Sequence, residues 1–97
     1  MTGIKKTAVL TLPSGTGDTE DIINYGMMIA TVEVAMLLQK THAYRTRVSL
    51  RSRDSVDVGK IAVSLGGGGH TRAAGCTINK NLTQTKKMLL REIHKII

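Results

Sequence analysis

Between residues 45 and 53 the chain alternates strictly, with Val48 and Leu50 at even positions and Arg45, Arg47, Ser49, Arg51 and Arg53 at odd ones. Successive side chains of a strand point to opposite faces. The segment therefore predicts a strand with one apolar face and one face carrying four guanidinium groups. A shift to helical spacing follows. Val58, Ile61, Ala62 and Leu65 stand at i, i+3, i+4 and i+7, behind Asp54, Ser55 and Asp57 as candidate caps. Four consecutive glycines, Gly66 to Gly69, then stop that helix and predict a C-cap and loop.

The same reading extends along the chain. Thr7 to Leu12 predicts a first strand, broken by Pro13-Ser14-Gly15-Thr16-Gly17. Asp18 is placed to cap a helix with Glu20 and Asp21 in its first turn and Ile22, Ile23, Met27 and Ala30 on its apolar side, weakened by Gly26. Residues 32–39 predict a buried strand, with Lys40 to Ala43 as the turn that follows. Beyond the glycines, Gly75 to Ile78 predict a short strand and Asn79-Lys80-Asn81 a turn. A last helix has Leu82, Leu89, Ile93 and Ile96 as its buried stripe. This order predicts an α/β fold: a single small domain over residues 1–97, with a mixed sheet packed by helices and a glycine-rich ligand loop.

Composition narrows the class. With 97 residues and neither Phe nor Trp, one modest core must be filled by aliphatic side chains and Met. No apolar run reaches the ~18–20 residues of a membrane span, and no membrane partner is expected. The start of the chain lacks the apolar core of a signal segment. Cys76 is the single cysteine and reads as a small buried hydrophobe, so a reducing, cytoplasmic setting is expected. The formal net charge is +7, which favours polyanionic ligands such as nucleic acid or phosphorylated nucleotides.

The candidate chemistry lies in Gly66 to Gly75, which reads GGGGHTRAAG. Glycines let a backbone approach a ligand closely, and consecutive free N–H groups can form an anion nest. His70 and Arg72 follow as donors, and Ala73, Ala74 and Gly75 add no bulk. A flexible connection is the competing reading of such a run. No Gly-Lys-Ser/Thr follows, so it is not a P-loop, and no G-x-G-x-x-G register fits. Arg51, before Ser52 at the end of the arginine strand, offers a planar fork suited to phosphate oxygens.

Taken together, Val48-Ser-Leu-Arg-Ser52, Val56-Asp-Val58, Ile61-Ala62, Gly66-Gly-Gly-Gly-His70 and Ala73-Ala-Gly-Cys76 resemble the C-terminal DHH-associated domain of DHH-family phosphoesterases. The resemblance is to the nanoRNase and pAp-phosphatase branch, with RecJ-type exonucleases more distant, and covers roughly residues 18–97. The resemblance implies a longer connection than Pro13 to Gly17, so either part of it is lost here or residues 1–17 are partly foreign to the domain. The resemblance implies a substrate-binding lobe that closes on an N-terminal DHH domain. It implies that Arg51 and Ser52 contact a substrate phosphate, that Gly67, Gly68 and Gly69 line the ligand site, and that His70 bonds the phosphate next to the scissile one. The ligand would be a short oligoribonucleotide or a pAp-type nucleotide. Divalent metal, Mn or Mg, is expected in the DHH domain, not in this chain, which has no Asp-His-His triplet and no histidines at ligand spacing. The chain alone is accordingly expected to recognise substrate and not to hydrolyse it. An alternative is a non-catalytic RNA-binding module, because the C-terminal domain of alanyl-tRNA synthetases looks like a relative. For that module the scarcity of aromatics, only Tyr25 and Tyr44, argues against a base-stacking platform.

Overall fold

The computed structural model describes residues 6–13, 19–28, 32–53 and 56–95. In chain order the elements are β1 (Lys6–Leu12), α1 (Thr19–Met27), β2 (Val32–His42), β3 (Arg45–Ser52), α2 (Val58–Ser64), β4 (Gly68–His70), β5 (Ala73–Ile78) and α3 (Leu82–His94). The strands form one sheet in the order β1-β2-β3-β5-β4. β1 and β2 run parallel and need a crossover, which α1 supplies, whereas the remaining pairs are antiparallel. The fold is thus the α/β domain with a mixed sheet that the alternation of patterns predicts.

The period-two pattern of β3 decides the centre. Thr46, Val48, Leu50 and Ser52 are buried, while Arg45 and Arg47 are exposed. The even face of β3 continues into Met36 and Leu38 on β2 and Ala74 and Cys76 on β5. There it packs beneath Ile61 and Ala62 of α2 and Leu89 and Ile93 of α3 in the main core. On the other face, Ile22, Ile23 and Met27 of α1 cover Ala8, Leu10, Ala35 and Leu37. That second cluster spans only the β1–β2 end. Gly26 sits in it, where a Cβ would stand 3.2 Å from Leu10 Cδ1, a contact to which that side chain would have to yield by a few tenths of an ångström.

Helix ends follow the expected chemistry. Of the three candidate caps, Asp57 caps α2, accepting from the Lys60 N–H at 3.1 Å, and Asp54 and Ser55 lie outside the described residues. Asp18, Ala30 and Ile96 lie outside them too. Asn81 and Gln84 form a reciprocal capping box on α3. The stripe of α3 contains Thr85 as well as Leu89 and Ile93. The Thr46 and Thr85 hydroxyls both reach the Lys80 carbonyl, at 2.9 and 3.4 Å, so these buried hydroxyls have a polar partner.

Two segments differ from expectation. β2 runs on through Lys40 to His42, leaving a turn of only Ala43 and Tyr44, because Thr41 is accommodated as an extra residue between the pairs Lys40↔Thr46 and His42↔Arg45. Its hydroxyl donates to the Arg45 carbonyl at 3.2 Å. The glycine run, in turn, is not a loop throughout. Its second half is strand β4, and β5 begins two residues earlier than expected, at Ala73.

Leu89 is fully buried at the α3–sheet contact. Leu89→Ala is expected to lower stability by about 2–5 kcal/mol in urea unfolding, with an unchanged m-value.

Candidate functional site

Past the β1–β2 end that α1 covers, the odd face of the sheet continues across β3, β5 and β4. The register there aligns side chains in rows. Arg51 pairs with Ala73, and Ala73 with His70. In the next row Ser49 pairs with Gly75, and Gly75 with Gly68; beyond it Arg47 pairs with Thr77. Directly paired residues share a face, so Arg51 and His70 stand on one surface with only the Ala73 methyl between them. Two strand spacings put their Cα atoms about 10 Å apart. Arg47, Ser49, Gly68, Gly75 and Thr77 line a shallow, polar concavity beside that row. The arrangement is two cationic or donor groups flanking a floor almost without side chains. It suits a phosphate held from two sides.

His70 is exposed, and its placement comes from its neighbours' backbone. The two-residue turn after it, Thr71–Arg72, is held from two directions. The Val58 N–H at the start of α2 donates to Thr71 O at 2.9 Å, and the Ser52 N–H at the end of β3 donates to Arg72 O at 3.1 Å. The Ser52 hydroxyl lies 2.6 Å from Val56 O and 3.3 Å from Thr71 O. α2 comes so close that a Cβ on Gly59 would stand 2.9 Å from the His70 carbonyl oxygen.

These bonds assign Ser52 differently from Arg51. An even position puts it on the buried face, opposite the guanidinium, with its hydroxyl engaged by backbone carbonyls. Ser52 positions the turn beside His70 and does not share the open face. Arg51 is half-buried on that face, and its Nη1 donates to the adjacent Leu50 O at 3.1 Å. Arg53 leaves the stripe. Its backbone N–H donates to Glu33 O at 2.8 Å and its guanidinium to Met27 O at the C-terminal end of α1, where a cation satisfies an orphan carbonyl.

The glycines do not all play one part, and the first two do not belong to a nest of free N–H groups. Gly66, at φ +88°, and Gly67 close a Schellman motif on α2, their N–H groups donating to Val63 O at 3.1 Å and Ala62 O at 2.7 Å. Those two amides are consumed by the helix end. Gly69, at φ +142°, has a backbone closed to other residues, and a Cβ there would fall 2.5 Å from Ala74 Cα. At Gly67 the Cβ would fall 2.1 Å from Gly75 O. Gly68 is different. A Cβ there meets nothing within 4 Å, so the fold does not require a glycine at this point of the open face.

Cys76 is on the opposite face, buried in the main core, and burial raises its thiol pKa. It packs as the small hydrophobe that its sequence context predicts. Among the described residues no three His, Cys, Asp or Glu side chains come together as a metal-binding group, and no helix is long and apolar enough to cross a membrane.

The DHHA1 domain family matches residues 7–97, starting within β1. The bifunctional oligoribonuclease and PAP phosphatase NrnA of Thermus thermophilus is 36% identical over 88 residues, covering 87% of this chain and 27% of that protein. The chain thus spans about a quarter of that relative's length. An exopolyphosphatase-related protein from Bacteroides fragilis superposes with a TM-score of 0.81 at 22% identity, over 92% of this chain and 28% of that one. A pGpG-specific phosphodiesterase from Vibrio cholerae, PggH, gives 0.67 at 15% identity, over 98% and 34%. The C-Ala domain of Aquifex aeolicus alanyl-tRNA synthetase gives 0.62 at 16% identity, over 90% and 88%. These three structural likenesses concern the fold.

The glycine geometry generates a graded prediction. Gly67→Ala and Gly69→Ala are each expected to lose about 1–3 kcal/mol or more from overpacking. Gly68→Ala should unfold within about 0.5 kcal/mol of the parent. Thermal unfolding of the three variants checks the order.

Proposed function

The chain belongs to the DHHA1 domain family, and from that membership we propose that it is the substrate-binding lobe of a DHH-family phosphoesterase of the oligoribonuclease or pAp-phosphatase type. Its role is to grip the terminal phosphate of a short oligoribonucleotide. The observation that carries this reading is the row Arg51–Ala73–His70 above a floor of Gly68 and Gly75. The Arg51 fork would take phosphate oxygens bidentately, and the His70 ring would donate from the other side of Ala73. The identity to a protein named for oligoribonuclease and PAP phosphatase activity points to the same class of ligand.

Bond cleavage is assigned to an N-terminal DHH lobe outside this chain. There divalent metal, Mn or Mg, would activate water and neutralise phosphate oxygens. The residues of this chain bind and orient. By fixing the phosphate next to the scissile one, Arg51 and His70 would set which linkage lies at the metals, a contribution of position and not of acid–base chemistry. Ser52 and the Val58 N–H act on the ligand only through the turn that carries His70.

The C-Ala domain has a related fold, so the fold does not choose between gripping a short end and binding a folded RNA. The choice rests on dependence on a terminal phosphate. Titration with pApA and pAp, followed by amide chemical shifts, is expected to move Arg51, Gly68, Ala73 and Gly75 together with His70. Unphosphorylated ApA should bind more weakly. Charge-assisted bonds worth about 1.5–3 kcal/mol each make Arg51→Ala and His70→Ala lose roughly ten- to hundredfold in affinity. Gly68→Ala, expected to leave the fold intact, should also weaken binding by placing a methyl on the floor. Equal affinity for pApA and ApA, or binding indifferent to both Arg51→Ala and His70→Ala, would refute the reading.

A further inference from the structure

Resting on that reading, we propose that the tip of the β2–β3 hairpin is a second, distal nucleotide contact, so that the open face serves as a track for a single-stranded oligonucleotide several nucleotides long. The chain contains only two aromatic residues other than histidine, Tyr25 and Tyr44, and neither enters the core. Tyr44 is 72% exposed in the two-residue turn between β2 and β3. Turns of this length favour Asn and Gly, which accept positive φ. Ala43 and Tyr44 are not explained by turn chemistry, nor does packing explain an exposed ring.

What surrounds the ring has the chemistry of base and phosphate recognition. His42 and Arg45 pair across the hairpin, and both line one shallow concavity with Ala43 and Tyr44. One aromatic face with an imidazole and a guanidinium beside it can stack a single nucleobase and hold the phosphate next to it, a point contact and not the multi-base platform that the scarcity of aromatics argues against. Arg45 also shares the odd face of β3 with Arg47, Ser49 and Arg51, so a continuous basic edge joins the tip to the proposed phosphate grip. From Arg51 to Arg45 the strand extends about 20 Å. A mononucleotide held at Arg51 and His70 cannot reach Tyr44, but an oligonucleotide laid along β3 can.

The test is fluorescence anisotropy with 5′-phosphorylated oligoadenylates, pApA and a strand of about eight nucleotides, on the whole chain. The longer strand should bind more tightly, with a steeper salt dependence of about 0.7 per added phosphate contact. Tyr44→Ala should weaken the longer strand by about tenfold and leave pApA within about twofold. Tyr44→Phe should behave as the parent. If Tyr44→Ala binds the longer strand like the parent while Arg51→Ala does not, the distal contact is refuted and the phosphate grip stands. Equal weakening of both ligands by Tyr44→Ala also refutes a distal role. Failure of the parent to bind either ligand overturns the proposed function, and this inference with it.

Discussion

The candidate site depends on how the Thr71–Arg72 turn is tied down. β4 is three residues long, two of them glycine, and contributes no apolar side chain to the core. Left to its own propensity it would not remain a strand. It holds its place because the turn beyond it accepts N–H donors from the end of β3 and the start of α2, reinforced by the Ser52 hydroxyl. Each such bond is worth about 0.5–1.5 kcal/mol net, and they act on the residues next to His70. Loss of this clamp would free the imidazole from the row it shares with Arg51.

That clamp also accounts for the glycines. β4 lies so close to β5 that Gly67 and Gly69 have no room for a Cβ, and the preceding residue, Gly66, must reverse α2 at positive φ. Three of the four glycines thus answer to the fold, and the amides of Gly66 and Gly67 are taken up by the end of α2. The remaining one, Gly68, meets nothing and faces the open side. Its lack of a side chain leaves the sheet surface bare at that point. The asymmetry of the sheet leads to the same place. α1 closes the odd face at the β1–β2 end, while α2 and α3 occupy the even face.

Much of this was legible in the residues. The alternation through Val48 and Leu50 predicted the strand and its arginine face, the spacing from Val58 to Leu65 predicted α2, and the signature around Gly66 to Cys76 identified the family. Ser52 shows what a motif match leaves out. The same period that aligns Arg45, Arg47 and Arg51 places Ser52 on the other face, so its parity was a readable sign of its burial. β4 was not readable, because glycines have no periodicity and only a neighbouring strand at close distance makes them extended. The extension of β2 to His42 was hidden for a similar reason. Polar Lys40 and Thr41 look like a turn until Thr41 is accommodated as an extra residue against β3.

Arg51 and His70 are proposed to hold one phosphate jointly across Ala73. A double-mutant cycle of Arg51→Ala and His70→Ala, read as the dissociation constant for pApA, tests it most directly. Two groups that share one ligand atom cluster should be strongly coupled, so the double variant is expected to bind within about threefold of the weaker single variant. If instead the two losses multiply, the residues act on separate parts of the ligand and the shared grip is wrong.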